Sequence, residues 1–431
     1  MYYSFATIIS LINENGKLFL IGNFHLVLED MNYENEATTD LQQEIERCKQ
    51  GTMMVVCLVN KNELSILFDH PSKIVEKFYV VVDIACQKVE GCKIIKDTDA
   101  TKLYILIPND NKIAEELAYS IYSQVQLYVD KESPESYLKC SIGSISFPQD
   151  VGNKATKLLA LLNYGNFTSS DKSYYFNYDD DPVDINELRA RNVQLNLLRS
   201  ALLEQTAKFM YQPVVDRETG NIIYYECLLR VKNKENKWIS VGPMICDAES
   251  KGLISIVDFT VIEMAISELA RDKKISLSVN ISNVGVLNHR LLKRLKILLK
   301  KYDVATRLII EITETSLNDD FEAIKSFIDT LHKYGCKFAF DDFGSGFTSF
   351  QQLLNLPIDI IKIDGSYIRD ILRNDHSRFF VETLIKLAAD LGIKTVAEFV
   401  ENGEIAKFLI DIKIGGMQGN FFLPASEERI T

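Results

Sequence analysis

The second half of the chain alternates short apolar segments with amphipathic ones, and this alternation limits the fold more than any other feature. The apolar segments are nearly continuous, which is typical of parallel strands that are buried on both faces. The segments between them, such as HRLLKRLKILLKKY, carry apolar residues at helical spacing. The pattern predicts an α/β fold, either an open parallel sheet or a closed (β/α) barrel. The predicted strands are 275–282, 307–313, 337–342, 358–364 and 393–399.

A polar and aromatic stretch, TSSDKSYYFNYDDDPVD at 168–184, separates this half from the first. Pro182 ends whatever element precedes it, and the following residues INELRARNVQLNLLRSALLEQ have a mostly helical apolar spacing. We predict that this helix either joins the two halves or opens the second. The predicted divisions are an unassigned segment 1–40, which is either a short appendage or part of the next domain, a smaller mixed α/β domain 41–180, a connecting helix 181–197 and a larger α/β domain 198–431.

The first half also alternates apolar runs with helix-like segments. Its apolar runs include MMVVCLV (53–59), YILI (104–107) and SIGSISF (141–147), which predicts a mixed α/β domain. Its predicted turns contain no group of carboxylates, no P-loop and no glycine-rich phosphate loop. The residues by themselves therefore assign no chemistry to this half.

The chain of 431 residues has a formal net charge of −12, which argues against a surface that binds nucleic-acid polymers. A small phosphorylated ligand is compatible with this charge, because bound metal ions can reverse the local field. The eight cysteines and five histidines are scattered, without a CxxC motif. We therefore expect reduced thiols, no zinc site, and oxygen ligands for any metal ion.

No apolar run approaches the length that crosses a bilayer. The opening residues MYYSFATIISLI contain no basic leader and are followed by Asn13 and Glu14, so we expect neither a signal peptide nor a membrane anchor. These features together predict a cytoplasmic protein that contacts no membrane.

Each of the five predicted strands ends in a polar side chain. The carboxyl ends of parallel strands converge on one rim of an α/β fold, which is where active sites form. One such residue taken alone is more often a helix cap or a surface group. A purely structural role for all of them, at the same place in consecutive units, is a much rarer outcome. The residues are Asn280, Glu311, Asp341, Asp342, Lys362 and Glu398.

The third of these strands ends in two adjacent aspartates, within FAFDDFGSGF (338–347). Adjacent carboxylates repel unless positive charge lies beside them, and alternation along a strand would send Asp341 and Asp342 to opposite faces. We expect Gly344 and Gly346 to let the backbone turn, so that both carboxylates reach neighbouring cations. The alternative is a polar loop in which Asp342 caps the next segment.

A rim of carboxylates with one amide and one lysine predicts a site for Mg²⁺ or Mn²⁺, because these ions prefer hard oxygen ligands. Adjacent aspartates allow one carboxylate to bridge two cations while its neighbour holds the second. Two such ions clamp the attacking and leaving oxygens of a phosphoryl transfer and activate a water. A nearby lysine would orient that water or stabilise the developing charge. The residues alone therefore predict a metal-dependent phosphodiesterase or phosphatase.

Eight motifs of the second half also stand in the order found in one known family. They are YQPVVD (211–216), YYECLLR (224–230), SVNIS (278–282), EITET (311–315), DDFGSGF (341–347), KIDGSY (362–367), AEFVEN (397–402) and QGNFF (418–422). In these motifs, which span about Leu198 to Ala425, the chain resembles the EAL-domain cyclic di-GMP phosphodiesterases. Eight motifs in register are far more specific than DDFG alone. The resemblance implies a TIM-like (β/α) barrel that hydrolyses cyclic di-GMP to linear pGpG with two Mg²⁺ or Mn²⁺ ions.

The resemblance also implies roles for individual residues at the rim. Glu226 matches the signature glutamate, which is a metal ligand, and Lys362 would hold the nucleophilic water. Asp341 would bridge the two ions, and Glu226, Lys362 and Glu398 would form the catalytic group. The implied metal ligands are Glu226, Asn280, Glu311, Asp341, Asp342 and Glu398.

Other positions match residues that contact the nucleotide or shape the loop beside it. Glu314 falls where the family anchors the DDFG loop, and that loop also contributes to a dimer contact in the family. We therefore expect a homodimer through this domain, with cyclic di-GMP as ligand and a regulatory protein as a further partner. The implied nucleotide-contacting residues are Gln212, Leu228, Arg230, Asp364 and Gln418.

Four positions depart from the family pattern. Cys227 stands for an alanine, a small-for-small change, and Tyr224 stands for a glycine two residues before the signature glutamate. We expect the added ring to shift the strand or narrow the pocket. Gly415 replaces an aspartate, and Asn420 replaces an aromatic residue that is common there. No metal ligand and no lysine is lost, which favours an active enzyme.

The first half resembles a degenerate GGDEF domain, the frequent partner of EAL domains. The resemblance rests on SIGSISFPQD (141–150) and on the spacing of KLYILIP (102–108) before it. The signature position reads DATKL (99–103), and Asn60 and Asn62 stand where metal-binding aspartates are expected. Without these carboxylates, and without the glycines that admit a nucleotide, we expect no diguanylate cyclase activity.

The sequence therefore leaves three functions open. The leading one is a cyclic di-GMP phosphodiesterase that an inactive GGDEF-like domain regulates or supports structurally. The alternatives are a cyclic di-GMP receptor without hydrolytic activity, which Tyr224 and Asn420 favour, and a protein-interaction module without nucleotide binding. The complete set of ligands favours the enzyme.

Overall fold

The chain forms two compact units, Met1–Asp184 and Ile185–Thr431. Among the residues described, no helix combines the length and the apolar character that a membrane span requires. The computed structural model describes residues 11–12, 18–19, 36–97, 101–108, 111–131, 133, 135–150, 152–169, 174–313, 320–344 and 355–430.

The first unit contains a five-stranded sheet with helices. A short antiparallel pair precedes the sheet, β1 (Leu11–Ile12) and β2 (Leu18–Phe19). The sheet strands are β3 (Gly51–Leu58), β4 (Lys93–Lys96), β5 (Lys102–Pro108), β6 (Cys140–Phe147) and β7 (Tyr175–Asn177). The helices are α1 (Glu36–Cys48), α2 (Lys61–Leu67), α3 (Pro71–Cys86), α4 (Asn111–Gln126) and α5 (Ala155–Ser169).

The strands of this sheet lie in the order β4-β5-β3-β6-β7, and only the β6–β7 pair is parallel. The middle strand β3 reads GTMMVVCL and is buried along nearly its whole length. Met54 and Val56 pack with Phe78 of α3 and Ile121 of α4 in one core. The prediction of a mixed α/β domain is confirmed.

The turn after β3 contains Asn60, and the backbone uses its side chain. The amide Nδ2 donates to the carbonyl oxygen of Tyr137 at 2.6 Å, and Oδ1 accepts from the N–H of Lys139 at 3.0 Å. These two bonds fasten the segment that leads into β6 to the end of β3.

The second unit is a barrel of strands surrounded by helices. Its strands are β8 (Lys208–Asp216), β9 (Ile222–Lys232), β10 (Trp238–Ser240), β11 (Leu277–Asn280), β12 (Leu308–Thr313), β13 (Lys337–Phe343), β14 (Ile360–Ile363), β15 (Lys394–Ala397) and β16 (Gly416–Met417). Its helices are α6 (Ile185–Leu203), α7 (Ile245–Ser250), α8 (Ile254–Arg271), α9 (Asn283–Val286), α10 (His289–Lys301), α11 (Phe321–His332), α12 (Gly365–Arg369), α13 (Asp375–Asp390) and α14 (Gly403–Asp411). Two 3₁₀ turns are Gly242–Met244 and Ala305–Arg307.

The barrel closes because β8 pairs with both β9 and β16. Strands β9 and β11 to β16 are parallel to their neighbours in this series, whereas β8 is antiparallel to both of its partners. Strand β10 adds to the outer end of β9 as an antiparallel partner. All five predicted strands are present and parallel, and the closed (β/α) barrel is confirmed; the antiparallel direction of β8 was not predicted.

Asparagine caps fix where several barrel helices begin. Asn288, Asn374 and Asn402 accept backbone N–H groups in the first turns of α10, α13 and α14, respectively. Each helix then turns an apolar face to the barrel; in α10 this face includes the buried Leu291 and Leu295. The predicted amphipathic helices are thus anchored at their starts by side chains and along their lengths by packing.

One apolar layer fills the barrel directly below its carboxyl-end rim. Residues two positions apart on a strand share a face. The residues two positions closer to the rim than this layer therefore also point into the barrel. Those residues are the predicted polar ones, and the fold therefore brings them to a common level. The layer consists of Val214, Tyr224, Ile309, Ala339, Ile360 and Val396.

Candidate active site

Lys362 is completely buried, and its ammonium group lies among four carboxylates. Its Nζ is 2.8 Å from both Asp341 Oδ1 and Glu398 Oε1. It is 2.9 Å from Glu311 Oε2 and 3.2 Å from Glu226 Oε2. The partners come from β9, β12, β13 and the residue after β15, so strands far apart in sequence converge on one lysine.

Glu226 is held in place by two amide side chains. Asn280 Nδ2 donates to Glu226 Oε1 at 3.0 Å, and Gln418 Nε2 donates to Glu226 Oε2 at 2.7 Å. The same Gln418 nitrogen is 3.1 Å from Gln212 Oε1. The structure therefore places two of the predicted nucleotide-contacting residues directly beside the signature glutamate.

Lys362 and Glu226 form the charged centre of the cluster. Burial alone would lower the pKa of Lys362, but Asp341 and the other carboxylates raise it well above its usual value. Burial also works against ionised Glu226, but Lys362 and the hydrogen bonds from Gln418 and Asn280 hold its pKa below the ordinary value. The pair is therefore an ammonium and a carboxylate.

At the remaining carboxylates of the cluster, the effect of burial on the pKa outweighs that of Lys362. Burial raises the pKa of Glu311 to about 8 and the pKa of Glu398 well above its ordinary value, although Lys362 opposes both shifts. Burial likewise raises the pKa of Asp341, and burial together with Asp341 raises the pKa of Asp342 to about 6. Among the described residues, Lys362 contacts four carboxylates with one ammonium charge, so full ionisation of these four requires additional cations.

The two adjacent aspartates reach the same place because the strand is irregular there. Asp342 has a φ of +53°, in the left-handed region, and the β13–β14 register shifts between Phe340 and Phe343. This breaks the alternation of faces. One carboxylate oxygen from each of Asp341, Asp342 and Glu398 lies within 4.8 Å of the others.

The sequence predicted a backbone turn at this place but attributed it to the following glycines. Gly344 does adopt a positive φ of +102°, yet the first left-handed residue is Asp342 itself. A side chain at position 344 would also collide with Tyr367 and Phe380. Gly346 lies outside the described residues.

The carboxylates form two groups that share Asp341. Glu226, Glu311 and Asp341 make up the first, and Asp341, Asp342 and Glu398 make up the second; within each group the ligand oxygens lie within 4.8 Å of one another. Within the described ranges, the buried Glu311 Oε1 has no hydrogen-bond partner. Buried oxygen atoms that lack partners, and donor groups made up of carboxylates alone, fit hard divalent cations such as Mg²⁺ and Mn²⁺.

Residues 195–425, more than half of the chain, match the EAL domain. The chain belongs to the EAL-domain family. The predicted TIM-like barrel of an EAL domain is confirmed by this match and by solved structures of EAL domains with the same fold.

Similar proteins extend the comparison. PdeF of Escherichia coli K12, named a cyclic di-GMP phosphodiesterase, is 32% identical over 238 residues, which are 54% of this chain and 32% of PdeF. This chain thus spans about a third of the length of that relative. The solved complex of the PaMucR phosphodiesterase with c-di-GMP is 27% identical, with a TM-score of 0.51, and the match covers 54% of this chain and 97% of that one. An S helix-GGDEF-EAL structure of Vibrio cholerae LapD, bound to c-di-GMP, is 20% identical with a TM-score of 0.50, covers 88% of this chain and 91% of that one, and shows the fold alone.

The turn of the EAL domain that carries Asn280 is anchored from below by Asp258 of α8. Asp258 Oδ1 accepts from the N–H of Ser282 at 3.1 Å, and Oδ2 accepts from the Ser282 hydroxyl at 2.6 Å. Ser282 Oγ in turn caps α9 by accepting from the N–H of Gly285 at 3.0 Å. A Cβ at Gly285 would lie 2.3 Å from Asp258 Oδ2, so only glycine fits.

Asp258 was not among the residues predicted from the sequence. The available signal was an aspartate within the mostly apolar stretch ISIVDFTVI. A carboxylate on the buried face of a helix needs donors, and here those donors belong to the turn that presents Asn280.

The other predicted nucleotide contacts lie at the mouth of the barrel. Leu228 and Arg230 follow Glu226 on the inward face of β9, and both are half-buried. Burial lowers the pKa of Arg230, whereas the charge of Glu226 works in the opposite direction. Asp364 caps α12 by accepting from the N–H of Ser366 at 2.9 Å. These side chains surround the acidic cluster without belonging to it.

Tyr224 lies in the barrel interior, below the acidic cluster. It is 1% exposed and packs with Ile309 and Ile360 in the apolar layer. Its buried hydroxyl has no hydrogen-bond partner in the part of the chain that the structure describes. Burial, followed by the charge of Glu311, raises its pKa well above the usual value. The ring therefore forms the floor of the site rather than part of its mouth.

Strand β9 has a one-residue irregularity directly before Tyr224. Val214 pairs with Tyr224, but the next residue of β8 pairs with Ile222, which leaves Ile223 as a bulge. On the rim side of the bulge the register is regular, and Glu226 pairs with Gln212. The departure from glycine at 224 thus coincides with a local strand irregularity that leaves the signature glutamate in place.

The other three departures from the family pattern are Cys227, Gly415 and Asn420, and none of them is a predicted metal ligand. Cys227 is buried and points to the helices, in the core outside the barrel. A side chain at Gly415 would come within 2.7 Å of the Thr395 carbonyl oxygen, so an aspartate would not fit there. Asn420 is exposed. Glu314, the predicted anchor of the DDFG loop, lies outside the described residues.

Proposed function

We propose that the EAL domain hydrolyses cyclic di-GMP to linear pGpG in a site that holds two divalent cations, Mg²⁺ or Mn²⁺. The observation that carries this proposal is the pair of carboxylate groups that share Asp341 around the buried Lys362. The family match and the cyclic di-GMP phosphodiesterase PdeF among its relatives support the same activity.

In this proposal the carboxylates form two sets of ligands, one for each ion. Glu226, Glu311 and Asp341, with the amide oxygen of Asn280, would hold one ion. Asp341, Asp342 and Glu398 would hold the other. When bound, such ions polarise phosphoryl oxygens and neutralise the charge of the phosphate. Two observations on the described residues support this assignment: Glu311 Oε1 has no hydrogen-bond partner among them, and four carboxylates contact the single ammonium of Lys362.

The reaction adds one water molecule to the cyclic substrate. Water attacks one phosphorus, the bond from that phosphorus to the 3′ oxygen breaks, and the 3′ oxygen takes up a proton. Lys362 is held as an ammonium by its carboxylate partners, so it orients the water as a donor and does not accept its proton. We assign the acceptor role to Glu398, whose carboxylate lies 2.8 Å from Lys362 Nζ.

The nucleotide would lie across the mouth above this cluster. Gln212 and Gln418 carry amide groups beside Glu226, and Arg230 offers a half-buried guanidinium that suits a phosphate or a base edge. Leu228 supplies an apolar contact, and Asp364 supplies a carboxylate that suits the N–H groups of guanine.

A single assay tests hydrolysis. The purified chain is incubated with cyclic di-GMP and Mg²⁺ or Mn²⁺, and pGpG is followed by chromatography. We expect turnover that disappears after chelation and in Glu226→Gln, which keeps the shape of the side chain but loses its charge. Tight binding without turnover would replace the enzyme by a receptor, and the absence of binding would leave an interaction module.

The receptor is the second candidate because Asn420 is exposed where an aromatic residue is common in the family. A weaker hold on the base would favour a protein that senses the nucleotide without processing it efficiently. Tyr224 gives this alternative little support, because its ring lies under the cluster and not in the path of the nucleotide.

We also propose that 41–180 is a degenerate GGDEF-like domain, joined through 181–197 to the EAL domain at 198–431, and that it is regulatory or structural. The five-stranded sheet with the order β4-β5-β3-β6-β7 and the fold likeness to LapD over 88% of the chain support this. Asn60, at a position expected to bind metal, instead ties the backbone together. Incubation with GTP should give no cyclic di-GMP.

The homodimer remains part of the proposal. The DDFG loop through which the family pairs extends into residues outside the described ranges, so the support is the family match alone. Light scattering of the purified chain at several concentrations, with and without cyclic di-GMP, tests it; a monomer at all concentrations contradicts it.

A further inference from the structure

Phe399 has an unusual backbone for its position and size. It directly follows Glu398, and its φ of +51° lies in the left-handed region. A bulky side chain is disfavoured there, and Gly is the residue that adopts this conformation without strain. Strain of this kind persists where the surroundings fix it, and it concentrates at functional sites.

The ring of Phe399 is seated on helix α12. A Cβ at Gly365 would lie 2.3 Å from Phe399 Cδ2, and the guanidinium carbon of Arg369 lies 4.3 Å from the ring centroid. Gly365 and Arg369 are four residues apart and lie on one face of the helix. They therefore cover the same side of the ring, and 47% of Phe399 remains exposed.

The segment that carries Phe399 lies between two other segments of the candidate site. The seat of its ring, Gly365, follows Asp364 at the end of β14. On the other side, the N–H of Val400 donates to the carbonyl oxygen of Gln418 at 2.9 Å. Phe399 therefore belongs to the carboxyl-end rim, next to the strand ends that carry Lys362 and Glu398, and its side chain is partly exposed there.

We propose that Phe399, backed by Arg369, is a stacking platform for a guanine base of the cyclic dinucleotide. The proposal rests on cyclic di-GMP as the ligand of the proposed function. Aromatic side chains bind nucleobases through their faces, and this contact tolerates different bases. A guanidinium on the rear face draws electron density from the ring, which favours an electron-rich purine on the front face. The platform supplies the aromatic surface that Asn420 lacks.

The test measures binding and turnover separately on the full chain. Binding of cyclic di-GMP is measured by calorimetry in EDTA, and turnover is measured with Mn²⁺. Phe399→Leu keeps an apolar side chain but removes the ring, and we expect about tenfold to hundredfold weaker binding. Phe399→Trp keeps a ring, and we expect binding close to that of the unchanged chain. Phe379→Ala on α13 removes an exposed aromatic residue elsewhere and serves as the control.

A second variant separates a functional role from a packing role. Phe399→Gly relieves the left-handed strain, so we expect an unchanged or higher Tm together with the same loss of binding. If Phe399 only packs on Gly365, the Tm falls and binding is unchanged, which overturns the platform.

The outcomes also separate the platform from the proposed hydrolysis. Binding that depends on Phe399 without any turnover would overturn the phosphodiesterase and keep the platform. Turnover with no effect of Phe399→Leu on binding or KM would overturn the platform and keep the enzyme. If the unchanged chain does not bind cyclic di-GMP, the platform is wrong.

Discussion

Asn60 and Asn280 lie at similar places in two different α/β units, at the carboxyl side of a buried strand, yet they serve different purposes. The amide of Asn60 bonds to backbone groups of Tyr137 and Lys139 and fastens a loop. The amide of Asn280 donates to the carboxylate of Glu226 and orients a charged group. The position of an asparagine at a strand end therefore does not by itself determine its role. The role depends on whether its hydrogen-bond partners are backbone groups or charged side chains.

The largest expected effect is a loss of stability when the buried Lys362 at the barrel rim is replaced. Lys362→Met leaves the buried carboxylates without their ammonium, and we expect the free energy of unfolding to fall by about 3–5 kcal/mol at pH 8, with loss of activity. Urea unfolding measures the change. Adding Glu311→Gln to the variant removes one uncompensated charge and should recover part of the loss.

The matched control is Lys337→Met at the exposed start of β13. A surface substitution of this kind should change the free energy of unfolding by no more than about 0.5 kcal/mol. If Lys362→Met changes the free energy of unfolding equally little, the buried ammonium at the rim contributes no more to stability than an exposed lysine. The expected difference between the rim and the surface would then be wrong.

The next effect is a pH dependence in the support of the rim. Burial raises the pKa of Asp258 to about 6, against 3.8 for an aspartate in an unfolded chain. The folded state therefore holds this proton more tightly, and the resulting stabilisation is complete below pH 3.8 and is lost as the pH rises through about 6. Asparagine does not titrate. The stability of Asp258→Asn relative to the unchanged chain should therefore rise by up to about 3 kcal/mol from pH 4 to pH 7.

Chemical unfolding of both proteins at several pH values checks this. A difference in unfolding free energy that stays constant with pH would mean that Asp258 titrates normally. The turn that presents Asn280 would then rest on an ordinary exposed carboxylate.

A smaller effect is expected from crowding the same support. Gly285→Ala places a Cβ 2.3 Å from Asp258 Oδ2 and must displace the Asn280 turn. We expect a loss of about 1–3 kcal/mol in stability and weaker Mn²⁺ binding by calorimetry. Gly242→Ala is the control, because its nearest neighbour, Ser240 Oγ, would be at an ordinary 3.5 Å. Equal behaviour of the two variants contradicts the proposed support.

The smallest effects sharpen the comparison of the two asparagines. Asn60→Ala removes two bonds to the backbone, and we expect a loss of about 1 kcal/mol in stability. Asn280→Ala should leave stability almost unchanged but weaken Mn²⁺ binding and turnover. Thermal unfolding and calorimetry on both variants test the pair; a stability loss confined to Asn280→Ala would reverse the assignment.

The parallel strands and their polar ends can be predicted from the sequence because these features are local. An apolar run followed by a charged residue is visible without tertiary information, and the repeat of strand and helix makes the ends converge on one rim. These features are enough to predict that Glu311, Lys362 and Glu398 lie close together, and Lys362 does contact both carboxylates.

The features that the sequence missed depend on contacts between distant segments. The left-handed conformations of Asp342 and Phe399 have no signal in side-chain type, since glycine is the usual residue there. The support by Asp258 requires knowing that α8 packs under the turn after β11. The antiparallel β8 closes the barrel through pairing with β16, which comes late in the chain.

The bond between Gln418 and Gln212 joins residues that are 206 positions apart. Gln418 also holds Glu226, so the signature glutamate gains its full set of partners only when the first and last strands of the barrel have met. On a ribosome, a chain that has not reached residue 418 has Glu226 and Asn280 but not the second amide that donates to Glu226. The set of hydrogen bonds around Glu226 is therefore completed by the same event that seals the barrel, and a partly synthesised domain lacks it.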